Sequence, residues 1–250
     1  MAVAAGIVVV VSMIAERARP FFAAMVATLP VSAGPSLFFL ALDHDDAFLQ
    51  ATLIGAMVAN LASCAYVLAY ANLAQRRPLV VALGGAIVCW VIAGSVLRPI
   101  PWTLLGAIGA TIALYIVMLR LVEPFTKAPR PAATPRSRYA LLMRATGVSC
   151  LVALVTLTSA HVGPYVSAFL AVFPIVLSSL VVILHPRIGG PATAAFIASA
   201  VPGLAGFGAG LAAAAASVPY TGRFGALGMG LLVAVAWNSA LALWKARRAG

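Results

Sequence analysis

The chain has 250 residues, of which 64% are hydrophobic and 8% charged, and its formal charge is +11. Soluble domains draw about a quarter of their residues from Asp, Glu, Lys and Arg, so this inventory excludes a soluble enzyme or a soluble binding module. The basic residues come in twos and threes between apolar runs, which is a topology pattern rather than a nucleic-acid surface.

Apolar runs longer than ~18 residues mark spanning helices. In lipid every backbone polar group must be satisfied within its own segment or within a closed barrel. Runs of Ala, Leu, Val and Gly without two-residue alternation, at a mean hydropathy of +1.09, predict an all-α, polytopic membrane helix bundle of about nine spans. The first, 1–15, is short and is followed by Arg17 and Arg19. A cleavable signal has its positive flank in front, so this run reads as a helix with its N-terminus outside. The second, 20–42, carries Pro30 and Pro35 with Ser32, Gly34 and Ser36 around them. The turn Asp43-His44-Asp45-Asp46 looks like a metal or proton site but reads as a solvated loop, because adjacent residues rarely converge on one ion.

Span 47–74 carries Asn60 and Cys64, span 78–97 carries Cys89 and Trp90, and span 101–122 follows. A Pro-rich, basic linker covers 123–138. Spans 139–160, 164–184, 191–218 and 224–244 complete the chain. Prolines open several of these, where a missing N–H costs nothing. Cys64, Cys89 and Cys150 have no metal-ligand spacing and read as small packing residues. His161 and His185 fall at span ends and read as solvated.

With the N-terminus outside, fourteen of the sixteen Lys and Arg residues fall on the inner side, leaving Arg98 and Arg223 outside. This bias predicts a periplasmic N-terminus and a cytoplasmic C-terminus. Arg120 and Arg144 lie near inner span ends, from which they reach the headgroups.

The halves echo each other. Pro20 and Pro30 frame one ten-residue step, and Pro164 and Pro174 frame another at an offset of 144; Trp90 answers Trp237 at 147. Spans one to four (1–97) then form one repeat and spans six to nine (139–250) the other, joined by the segment 98–138 with its fifth span. A joining span makes the second repeat inverted, an architecture that recurs in transporters.

The stretch Ala27-Thr-Leu-Pro30, Phe48-Leu-Gln-Ala-Thr-Leu-Ile-Gly-Ala-Met57 and Gly85-Ala-Ile-Val-Cys-Trp90 resembles the GlpM family of small bacterial inner-membrane proteins, over roughly residues 20–97. One departure is Gln50, where the family carries a basic residue. The resemblance implies a fold and a bacterial inner membrane, not a reaction.

Mid-span prolines free backbone carbonyls, and with neighbouring hydroxyls these make the candidate substrate-binding set Pro30, Ser32, Ser36, Pro174, Ser178 and Ser179. The deep amides Asn60 and Asn238 join it, as interhelical hydrogen bonds or as solute contacts. The glycines from Gly203 to Gly210 lack the strand and acidic residue of a dinucleotide site and read as close helix approach. No positioned acid, base and nucleophile appear, and no cofactor or metal is implied. The expected activity is that of a small permease or channel-like protein for a neutral or weakly charged solute. The other reading is a non-catalytic or lipid-handling subunit of a larger membrane complex. The expected partners are the lipid bilayer and either a second copy or another membrane protein, with no nucleic acid.

Overall fold

The computed structural model describes residues 33–127 and 138–249, and over these the chain is all-helical. Eight α-helices follow in order: α1 (Ala33–Asp43), α2 (Asp46–Leu73), α3 (Leu79–Leu97), α4 (Leu104–Val122), α5 (Arg138–Ala171), α6 (Ile175–Ile188), α7 (Gly190–Ala198) and α8 (Val201–Ala249). A 3₁₀ turn at Glu123–Lys127 follows α4. Among the described residues, five helical stretches are long and apolar enough to cross a membrane: Asp46–Leu73, Leu79–Leu97, Leu104–Thr126, Thr146–Ile188 and Gly190–Trp244. The first predicted span, and with it Pro30 and Ser32 of the second, lie outside the described residues.

Two of these stretches are folded back within themselves. Gly163 (φ 74°, ψ 175°) interrupts α5 just before Pro164, and Gly222 (φ 64°, ψ 177°) interrupts α8. Positive φ costs an L-residue a steric clash that glycine avoids. The breaks therefore fall where the sequence places loops, between 160 and 164 and between 218 and 224. The predicted span 164–184 is divided further. The chain leaves helical geometry at Phe173 and Pro174, and α6 starts at Ile175 with Pro174 as its N-cap. Pro174 is thus a boundary rather than a kink inside a continuous helix, because a proline N–H is not needed at a helix start.

The middle of the bundle is α2. Of its most apolar window, 78% is buried, against 22% for the window of α3. Its N-cap, Asp45, accepts a hydrogen bond from the Phe48 N–H at 2.8 Å. The acidic turn is solvated as expected, with Asp43, Asp45 and Asp46 exposed, and it is also tied into the fold. His44 is bonded to Ser159 (2.8 Å) and stacked on Phe48. Asp46 accepts the Arg223 N–H at 3.3 Å, and the Arg223 guanidinium donates to the His44 carbonyl at 2.6 Å.

Along α2 the partners on residues 190–223 run in reverse order. Asp46 meets Arg223, Gln50 donates to the Ala215 carbonyl, and Asn60 donates to the Leu204 carbonyl. Tyr70 meets Thr193, and a Cβ on Gly190 would collide with the Ala74 carbonyl oxygen. The segment formed by α7 and the first arm of α8 is therefore antiparallel to α2 over its whole length. At one end of this pair lie His44, Asp45, Asp46 and Arg223; at the other lie Ala74, His185 and Gly190.

Small residues set the closest approaches. In α8 the two arms meet at Gly210 and Gly230, where a Cβ on either would come within 2.7–2.8 Å of the other's carbonyl oxygen. Glycines make such backbone contact feasible within membranes. The side of Gly206 is covered by Trp237, whose Nε1 donates to the Pro202 carbonyl at 2.9 Å. On α3, Trp90 stacks on Phe169 at 3.8 Å and meets Phe173 edge-on. Exposed Val80, Val88, Ile92, Leu105, Ile112 and Ile116 give α3 and α4 an apolar outer face, suited to lipid.

Candidate functional site

The buried polar side chains of the described residues are all uncharged: Ser, Thr and Asn, with tyrosines among the buried core. A deeply buried charge is costly unless paired, so the interior suits neutral hydrogen-bonding chemistry. Two faces of α2 carry it.

The first face is formed by Tyr66 and Tyr70, one turn apart. The Tyr66 hydroxyl shares a hydrogen bond of 3.0 Å with Ser178 of α6. The Tyr70 hydroxyl is 2.8 Å from His185 Nδ1 and also contacts Thr193 of α7. Thr193 donates to the Gly189 carbonyl at 2.8 Å. His185 is thus half-buried and held by a tyrosine, rather than freely solvated at a span end as its sequence position suggests.

The second face carries Asn60 and Cys64 and meets α4 and α8. Asn60 is fully buried, and its Nδ2 donates to the Leu204 carbonyl at 3.0 Å. Its Oδ1 has no partner, nor has the Tyr115 hydroxyl on α4. Tyr115 lies against Cys64 and Asn60 without a hydrogen bond of good geometry to either. Thr111, one turn before Tyr115, donates to the Ala107 carbonyl at 2.7 Å.

The predicted site residues are therefore dispersed. Ser36 is fully buried on α1, which packs on α5, α8 and α2, whereas Ser178 and Ser179 lie on α6, which packs on α3, α5 and α7. Ser179 donates to the Val176 carbonyl and Asn238 to the Ala234 carbonyl, each within its own helix. Asn60 and Ser178 each make a hydrogen bond to another helix. Two cavities, of about 660 and about 500 Å3, contain none of these residues in their walls. The larger opens at the end marked by Asp45, Asp46 and Arg223; the smaller is apolar and lies between α1 and the two arms of α8. Among the described residues no group of three or more His, Cys, Asp or Glu is placed to hold a metal ion. Cys64 is buried, Cys89 half-buried and Cys150 exposed, all as free thiols.

Tyr66, Tyr70 and Tyr115 are the residues that sequence reasoning missed. Their signal was present: Tyr66 and Tyr70 stand four residues apart, at helical spacing, in a span made mostly of small and aliphatic residues. Read only as apolar, their hydroxyls vanish, although a buried phenol seeks a partner. No family model, curated protein or solved structure matches the chain.

Proposed function

We propose that this chain is a small permease or channel-like protein of the bacterial inner membrane, passing a neutral or weakly charged solute between two inverted repeats. The observation that carries the reading is the register of α2 against residues 190–223. In an inverted pair at an offset of 144, the residue on the two-fold axis must touch its own equivalent. Asn60 touches Leu204, and the two are 144 apart.

The pathway then runs along the interface of the repeats, past Asn60, as substrate routes do in inverted-repeat transporters. Neutral buried groups favour a solute without strong charge. The end holding Asp45, Asp46 and Arg223 faces the periplasm and the end holding Arg76, Arg77 and Arg187 the cytoplasm, in keeping with the basic bias. The bacterial setting comes from the GlpM-like character of residues 20–97.

The test is flux through purified protein in liposomes, measured for water and for a series of small uncharged solutes, with Asn60→Leu as the comparison. Flux above empty liposomes that Asn60→Leu reduces supports the reading. No flux, together with stable co-purification of another membrane protein, points instead to a subunit of a larger complex.

A further inference from the structure

We infer that the groove between α1 and the two arms of α8 holds an acyl chain of a zwitterionic phospholipid, its headgroup seated against Arg223, Asp45 and Asp46. The groove is the apolar cavity of about 500 Å3, a volume typical of small-molecule sites. Its walls include Phe38 of α1, Leu53 of α2, Phe207 and Leu211 of the first arm of α8, and Leu227 and Leu231 of the second. A Cβ added to Gly34 on the α1 wall, or to Gly228 on the α8 wall, would meet nothing within 4 Å, so the space beside both glycines is open.

The dimensions of the groove match one leaflet. The second arm lines it from Phe224 to Ala234, ten residues along α8. At about 1.5 Å per residue that is roughly 15 Å of helix, half of a hydrocarbon core of about 30 Å. Along its edge Phe38, Phe224 and Leu231 are 42%, 47% and 51% exposed, an apolar lip through which a chain can enter from the side. In a bilayer such walls alone do not prefer one lipid over another, because lipid tails are as apolar as leucine. The choice of lipid is therefore made at the mouth.

Phe224 belongs both to this groove and to the larger cavity that contains Asp45, Asp46 and Arg223. The Arg223 guanidinium stands 5.5 Å over the centre of the Phe224 ring, so the charged group lies where the apolar wall ends. The guanidinium donates to the His44 carbonyl, and Asp46 accepts the Arg223 backbone N–H. Neither bond joins the guanidinium to a carboxylate, and Asp45 and Asp46 are exposed. One cavity thus presents both signs of charge. A guanidinium bonded once keeps N–H donors for phosphate oxygens, and the carboxylates attract an ammonium. A phosphate with an ammonium answers both, whereas an anionic headgroup meets two like charges.

The groove binds lipid whether or not the chain passes a solute, and only the choice of the outer leaflet rests on the proposed topology. The experiment follows thermal unfolding of the delipidated full chain in detergent, with phosphatidylethanolamine or phosphatidylglycerol added. At a free concentration of about 100 Kd, phosphatidylethanolamine should raise the midpoint by about 5–10 °C, and phosphatidylglycerol by much less. Gly228→Leu, and independently Gly34→Leu on the other wall, should fill the groove and abolish that rise. Equal protection of the wild-type chain by both lipids, or protection by neither, overturns the inference. So does an undiminished rise in a groove-filling variant, or an experimental structure of the full chain in which residues 1–32 occupy the groove. Protection without flux in liposomes leaves the lipid site standing and removes the permease.

Discussion

Replacing Gly210 by Ala attacks the contact between the two arms of α8 at its tightest point. The new Cβ would stand 2.7 Å from the Gly230 carbonyl oxygen and 3.2 Å from the Ala234 Cβ. A relaxed carbon–oxygen approach is roughly 3.3 Å, so the arms must part by about 0.6 Å. The obstacle is backbone and has no rotamer to yield. Overpacking of this kind costs about 1–3 kcal/mol. Gly230→Ala meets the same wall from the other side, 2.8 Å from the Gly210 carbonyl oxygen. One displacement relieves both, so the double variant should cost less than the sum of the singles. Gly228 is the control, since nothing lies within 4 Å of a Cβ built there. The assay is thermal unfolding in detergent, followed by retention of the monodisperse peak. Gly210→Ala and Gly230→Ala should unfold earlier than wild type, and Gly228→Ala should not. Equal stability of all three variants would refute the close packing of the arms.

Two further outcomes are expected. Tyr66→Phe breaks the 3.0 Å bond to Ser178; a double-mutant cycle with Ser178→Ala should give a coupling of about 0.6 kcal/mol, the mean for such bonds in membranes, and zero coupling contradicts the pairing. In a variant lacking the native cysteines, an impermeant thiol reagent added to intact cells should label Asp45→Cys and not Arg77→Cys, and reversed labelling overturns the proposed topology.

How much was legible varies by element. Span 47–74 nearly coincides with α2 (Asp46–Leu73), because polar turns bracket an uninterrupted apolar run and hydropathy alone marks such limits. The breaks at Gly163 and Gly222 were legible because Gly163 stands directly before Pro164, and Gly222 lies between Pro219 and Arg223. The break at Phe173 and Pro174 was read as a kink. A proline in an apolar run signals a lost hydrogen bond but not whether the helix bends or restarts. The acidic turn shows the limit of local reading. That Asp45 caps α2 follows from a residue three positions away, whereas the role of Asp46 depends on Arg223, 177 residues distant. For the site, Asn60 and Ser178 were legible as polar atoms in apolar surroundings, but their partners were not. Tyr66 and Tyr115 owe their roles to helices that only tertiary packing brings near, and hydropathy counts their rings while ignoring their hydroxyls.

The antiparallel register of α2 is the premise on which the proposed inverted arrangement and the proposed pathway stand, and paired cysteines test it directly. In the full chain with Cys64, Cys89 and Cys150 replaced, Gln50→Cys is combined either with Ala215→Cys or with Ala194→Cys and oxidised in native membranes. Gln50 reaches the Ala215 carbonyl at 3.1 Å, whereas residue 194 neighbours Thr193 at the Tyr70 end of α2. The account predicts a disulfide for the pair 50 and 215 and none for 50 and 194. A disulfide at 50 and 194 with none at 50 and 215 would mean that the two segments run parallel, and would contradict it.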